Sequence, residues 1–140
     1  MRQLFVDTSA FFALTDKRDA NHDAAVRIIR QLVREQAELL TTNYVVAETH
    51  ALVLNRIDSQ TALQVVEELY KSQTRIYRVR EAEENKALEI IRMYTDKEFS
   101  LVDAISFATM KRFHLTQAFT FDHHFAQYGF SLLPTTRSRE

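Results

Sequence analysis

The sequence predicts an α/β fold in which a parallel sheet of four to five strands carries helices on both faces. Two patterns lead there. Short apolar runs of strand length (Leu4-Phe5-Val6, Leu39 to Thr42, Ile76 to Val79, Ala118 to Phe121 and Phe130 to Leu133) alternate with longer segments whose apolar residues recur every three or four positions. Several of these runs also end on an acid or on a residue suited to cap the next helix, and in open parallel sheets the functional crevice lies beyond the carboxyl ends of the strands.

Leu4-Phe5-Val6 reads as a buried strand ending on Asp7, and Thr8 and Ser9 can cap a short helix over Ala10 to Leu14. Between residues 22 and 36, Ala25, Ile28, Ile29, Leu32 and Val33 fall at helical spacing, with Arg27, Arg30 and Arg34 turned outward. The second strand, Leu39 to Thr42, leads to Asn43 as the cap of a helix whose second turn holds Glu48. Asp58 and Ser59 start a further helix with Ala62, Val65, Val66, Leu69 and Tyr70 as its buried stripe. After the third strand, Glu81, Glu83 and Glu84 open a helix at the end where its dipole favours negative charge, and Ala87, Leu88, Ile91 and Tyr94 form its core face.

Thr95 to Phe99 is a loop that delivers the chain to Ser100. Ser100 and Asp103 have the spacing of a capping box, and Leu101, Ile105 and Ala108 give that helix one buried face. Ala118 to Phe121 closes on Asp122, followed by His123 and His124; adjacent positions point apart, so the two histidines are expected to serve the surface or packing. Phe130 to Leu133 is the last strand, stopped by Pro134. Residues 1–134 thus form one domain and 135–140 a frayed tail.

Composition narrows the chemistry. A chain of 140 residues with 46% hydrophobic and 26% charged residues is ordinary globular protein, long enough to bury about two-thirds of its unfolded surface. Cysteine is absent, which excludes disulfides, thiolate catalysis and cysteine-based zinc sites and is compatible with a reducing, cytoplasmic setting. With a single glycine there is no Walker loop and no Rossmann fingerprint. No signal peptide or membrane span is expected. Net charge is −1, so any nucleic-acid contact must be local; basic residues gather at Lys17, Arg18, Arg27, Arg30 and Arg34, at Arg75, Arg78 and Arg80, and at Lys111 and Arg112, where solvated helix faces are the simpler reading.

Four acids, Asp7, Glu48, Asp103 and Asp122, each stand where a strand has just ended or a helix is beginning. Singly, each has an ordinary role as a turn, cap or exposed residue. If they converge on one edge of the sheet, two unit charges ~5 Å apart repel by roughly 3 kcal/mol at an effective dielectric near 20, in a domain stable by only about 5–15 kcal/mol. Hard divalent cations, Mg²⁺ or Mn²⁺, suit an all-oxygen donor set, and a carboxylate-bound ion that keeps waters suits phosphodiester hydrolysis. Thr8, Ser9, Ser100 and Thr120 stand ready to orient waters or ligands.

Val6-Asp7-Thr8-Ser9-Ala10, Glu48 early in its helix, Phe99 to Phe107 around Asp103, and Thr120-Phe121-Asp122 resemble the successive acidic motifs of PIN-domain ribonucleases, and the short length resembles their VapC-like branch, the toxins of toxin-antitoxin pairs. The resemblance spans residues 4 to about 133. It implies a three-layer α/β/α sandwich and a metal-dependent endoribonuclease. Asp7, Glu48, Asp103 and Asp122 would be its catalytic and metal-binding acids, with Thr8, Ser9, Ser100 and Thr120 supporting them and Asp96 at the rim. It also implies a homodimer, an RNA substrate and a cognate antitoxin that occupies the pocket and an apolar groove. A phosphoacceptor domain would want paired acids at Asp7, and an aspartyl phosphatase a second Asp where Ser9 stands; both fit worse. The other class of reading is a catalytically silent PIN-like module that binds RNA or protein.

Overall fold

The computed structural model describes residues 2–135 and contains five strands: β1 (Gln3–Val6), β2 (Glu38–Thr42), β3 (Arg75–Tyr77), β4 (Gln117–Phe119) and β5 (Ser131–Leu133). All pair in parallel, in the order β3-β2-β1-β4-β5, with Leu4 opposite Leu39 and Phe5 opposite Ala118. β1 is central, and Leu4, Phe5 and Val6 are all buried, as expected of a strand covered on both faces. The chain runs outward from β1 to β3, returns across β1 to β4 and continues outward to β5. Strand order therefore reverses between β1 and β4, the position where such sheets open a crevice. Of the tail expected over 135–140, all but Thr135 lies outside the described residues.

Among the described residues seven helices connect the strands: α1 (Thr8–Thr15), α2 (His22–Arg34), α3 (Asn43–Arg56), α4 (Ser59–Lys71), α5 (Glu81–Met93), α6 (Leu101–Arg112) and α7 (His124–Tyr128). The right-handed rule for parallel crossovers assigns α1 to α4 to one face and α5 to α7 to the other. Packing agrees: α3 lies against α1 and α4, and α6 against α5 and α7. The result is a three-layer α/β/α sandwich.

Several local expectations are corrected. α3 is capped by Thr42, whose Oγ1 accepts the Val45 N–H at 3.1 Å, while the Asn43 carboxamide turns away to accept the Val79 N–H at 2.9 Å and ends β3 at Tyr77. α1 is capped by Asp7. β4 stops at Phe119, and Thr120 and Phe121 belong to the loop beyond it. α6 is buried on every side from Asp103 to Met110, so its helical stripe does not mark a single inner face, and Leu101 is 46% exposed. Val33, Tyr70 and Leu88, assigned to core stripes, are likewise exposed. Arg75, Arg78 and Arg112 are not simply solvated: their guanidinium groups lie over Phe113, Tyr70 and Tyr77 at 5.0, 5.9 and 5.6 Å.

The short α7 had no clear signature in the sequence. It ends at Gly129, the chain's single glycine, whose φ of 121° suits a residue without a Cβ and lets the Gly129 and Phe130 N–H groups turn back to Phe125 O. It is held by aromatic packing. Phe107 of α6 stacks on Tyr128 at 4.6 Å and meets Phe99 and Phe125 edge-on, each at 5.0 Å. Phe125 in turn packs on Phe5 of β1, so one cluster ties α6 and α7 to the central strand. Phe107→Ala is expected to cost about 3–5 kcal/mol, read as a lower urea midpoint with little change in slope.

Candidate active site

β1 ends on Asp7, whose N–H donates to Phe119 O at 3.1 Å and so ties the carboxyl ends of β1 and β4 together. The buried Asp7 side chain then receives two hydroxyls on the same oxygen, Oδ2: Ser9 Oγ at 3.0 Å and Thr120 Oγ1 at 2.9 Å. Each hydroxyl is itself oriented from behind. Ser9 Oγ accepts the Phe121 N–H and Thr120 Oγ1 accepts the Asp122 N–H, both at 2.9 Å. Their own hydrogens are thereby left to point at Asp7, and the loop after β4 is locked to the carboxylate by the same pair of residues.

The other acids approach from three different elements. Glu48, in the second turn of α3, accepts the Thr8 hydroxyl at 2.5 Å, which anchors it beside the start of α1. Asp103 forms the capping box of α6: Ser100 Oγ accepts the Asp103 N–H at 3.0 Å, and Asp103 Oδ2 accepts the Ser100 N–H at 3.1 Å. Asp122 follows β4, and its Oδ1 accepts the His124 N–H at 2.9 Å, turning the chain into α7. That turn swings the His124 ring inward, with Nδ1 2.9 Å from Asp103 Oδ2 and 3.3 Å from Asp122 Oδ1. One donor atom each from Asp103, Asp122 and His124 lies within 4.8 Å of the others.

The acids influence one another electrically. Burial pushes the Asp7 carboxyl up from 3.8 to about 6; the Asp103 charge adds to this, while the Thr120 and Ser9 hydroxyls and the Thr8 N–H oppose it. Burial also raises Glu48, against the pull of the Thr8 hydroxyl, and the charges of Asp103 and Asp122 raise it further. Oxygens crowded in this way, with an imidazole nitrogen among them, are a donor set that fits a divalent cation.

Asp7, Glu48, Asp103 and Asp122 therefore share one region, with Thr8, Ser9 and Thr120 in direct contact with them. Ser100 is exposed and acts on Asp103 as its cap. Asp96 is also exposed and pairs with Lys97 at 3.3 Å. His123 is at the surface and His124 packs on Phe99, as expected of the pair, but sequence reasoning missed that His124 also turns its Nδ1 to the acids. The available signal was its place two residues after Asp122, where an Asx turn directs the side chain back toward the acid. A cleft of about 1030 Å³ opens at the opposite end of the strands, lined by Gln3, Glu38 and Arg75 with Val33 and Phe113, well away from the acids.

The PIN-domain family model matches residues 4–131, nearly the whole chain, and the chain belongs to that family. It is 32% identical over 127 residues to the 23S rRNA-specific endonuclease VapC20 of Mycobacterium tuberculosis, covering 91% of this chain and 95% of the relative. It is 28% identical over 125 residues to the ribonuclease VapC26 of the same organism, covering 88% and 90%. The solved structure of VapC20, described as a Sarcin-Ricin loop cleaving toxin, superposes with a TM-score of 0.83 at 31% identity, over 91% of this chain and 95% of that one. VapBC2 from Rickettsia felis, solved bound to a promoter DNA fragment, shares the fold at a TM-score of 0.69 and 11% identity, over 93% and 96% of the two chains.

Because Asp7 titrates at about 6 when folded and near 3.8 when free, its extra proton is held by the folded state. That contribution is complete below the lower value and lost as pH rises through the higher one, a swing on the order of 2–3 kcal/mol. Asp7→Asn, which cannot ionise, is expected to be more stable than the parent at about pH 7.5 without divalent ions, and the difference should vanish near pH 4. Urea melts at the two pH values measure it.

Proposed function

We propose that this chain hydrolyses phosphodiester bonds in RNA with Mg²⁺ or Mn²⁺ held by Asp7, Glu48, Asp103 and Asp122. The single observation that carries the reading is the meeting of four carboxylates, from four separate elements, at the point where strand order reverses. Membership of the PIN family and relatives named as ribonucleases support an endoribonuclease of the VapC type. The 32% identical relative is named for 23S rRNA, which makes ribosomal RNA the first substrate to test. Residues 1–134 act as one nuclease domain and 135–140 as its tail.

Each residue has a task in this reading. Asp7 and Asp103 would help to hold the ion, with Asp7 kept in place by Ser9 and Thr120 and Asp103 by its cap, Ser100. Glu48, aligned by Thr8, and Asp122 complete the acidic set. A divalent ion bound here would lower the pKa of a water and offset negative charge on the scissile phosphate's oxygens. The protein's own contribution is to hold the carboxylates in register, with Asp7 buried where an unneutralised charge is disfavoured.

We also propose a cytoplasmic toxin paired with a cognate antitoxin; among the described residues no helix is long and apolar enough to cross a membrane. A homodimer is supported by Leu54 on α3 and Leu63 on α4, large apolar side chains left exposed on helices that pack together. Sedimentation over a concentration series should show a species of twice 16.4 kDa; a monomer throughout removes that proposal.

Cleavage should stop with EDTA and return with Mn²⁺ or Mg²⁺. Thr120→Val, which removes a hydroxyl one step from the ion, is expected to lose about 10- to 100-fold, and Asp103→Asn or Glu48→Gln more. RNA binding retained by the parent protein with no cleavage under any divalent ion would favour the silent binding module instead.

A further inference from the structure

We propose that His124 is a direct ligand of the metal, through Nδ1, and that it makes this site select Mn²⁺ over Mg²⁺. The inference rests on the metal-dependent reading above but adds a residue and an ion preference that the four acids alone do not supply. Three features of the ring support it. Its Nδ1 stands 2.9 Å from Asp103 Oδ2 and 3.3 Å from Asp122 Oδ1. Adjacent ligands around an octahedral ion with bonds of about 2.1 Å are separated by about 3 Å, so Nδ1 already stands at the spacing of a neighbouring ligand from each of the two carboxylate oxygens.

The ring is also fixed in that direction. The Asp122 carboxylate holds the His124 backbone N–H at 2.9 Å, and Phe99 meets the imidazole edge-to-face at 5.6 Å. The side chain is 21% exposed, against 74% for its neighbour His123, which faces solvent. Finally, the carboxylate oxygens keep capacity for an ion: Asp103 Oδ2 and Asp122 Oδ1 each accept one backbone N–H, and a carboxylate oxygen offers two lone pairs. A ring bound to the ion through Nδ1 would carry its one hydrogen on Nε2, so any proton on Nδ1 would move to Nε2 or, where Nε2 already bears one, leave to solvent.

Ion preference follows from the donor set. Mg²⁺ takes oxygen ligands and holds its waters, whereas first-row transition ions accept imidazole. A site of carboxylates with one nitrogen is mostly hard, which points within that series to Mn²⁺.

The test is metal binding without RNA. Calorimetry with MnCl₂ and MgCl₂ should show the parent protein binding Mn²⁺ at least about 10-fold more tightly than Mg²⁺. In His124→Gln that ratio should fall to near one, chiefly by loss of Mn²⁺ affinity, and pulsed electron paramagnetic resonance should lose the ¹⁴N coupling to Mn²⁺ seen in the parent. His123→Gln should keep the coupling, and far-ultraviolet circular dichroism checks that each variant is folded; if His124→Gln is not, His124→Asn is used, and absence of ¹⁴N coupling in the parent is decisive by itself. Parent protein that binds Mn²⁺ without ¹⁴N coupling, or a His124 variant that weakens both ions equally, overturns the ligand assignment and leaves a hydrogen-bonding role. Failure of the parent to bind either ion sinks the nuclease reading and this inference together.

Discussion

The constraint on which the rest depends is the confinement of like charges at the carboxyl end of β1. Asp7 is buried, and among the described residues its compensations are hydroxyls and backbone N–H groups, none of which carries a full charge. The site avoids collapse by moving the problem into geometry. Ser9 and Thr120 are polarised toward Asp7 by the backbone of the loop after β4, so one pair of hydroxyls solvates the carboxylate and fixes the path of that loop. A site built in this way trades stability in the empty protein for readiness to take a cation.

Much of this was legible because the relevant signals are local. Uninterrupted apolar runs marked buried parallel strands, and acids immediately after such runs were placed at the crevice by the fold class alone. Illegible features depended on tertiary contacts. α7 has five residues, too few to show a helical period, and its start is set by a side-chain acceptor, Asp122, rather than by a hydrophobic pattern. With that helix went the orientation of His124. α6 misled differently: a helix buried on every side gives no contrast between faces, so a stripe through Leu101 could be drawn on the wrong side. The arginines at positions 75, 78 and 112 cover aromatic rings contributed by distant segments or by the far side of the chain's own turn, and periodicity carries no information about such partners.

Charge distribution explains how a nearly neutral chain can hold an acidic centre without basic counter-charges there. Basic groups are spent elsewhere: Arg2 on Glu35 at 2.9 Å, Arg112 on the buried Glu83 at 3.7 Å, and Arg75 and Arg78 on rings. Among the described residues no Lys or Arg pairs with Asp7, Glu48, Asp103 or Asp122; the nitrogen-bearing rings in contact are His124 and, at 3.9 Å from Asp122, the exposed His123. An arginine fixed in the cluster would hold the acids together in the empty protein and would compete with a metal for the same oxygens. Its absence fits a site that must be vacated by protons and filled by an ion.

Electrostatics alone would drive Asp103 and Asp122 apart. Donor atoms within 4.8 Å of each other repel, when both are ionised, by about 3 kcal/mol at an effective dielectric near 20, and a short helix such as α7 has little strength of its own to resist. Its restraint is apolar. Phe125 is completely buried between Phe5 and Phe107, and Tyr128 stacks on Phe107, so moving α7 outward would open a cavity in the core. A lost aromatic contact of that size costs as much as the repulsion it prevents. The hydrophobic cluster behind the acids is therefore what lets negative side chains stand within reach of one another before any cation arrives.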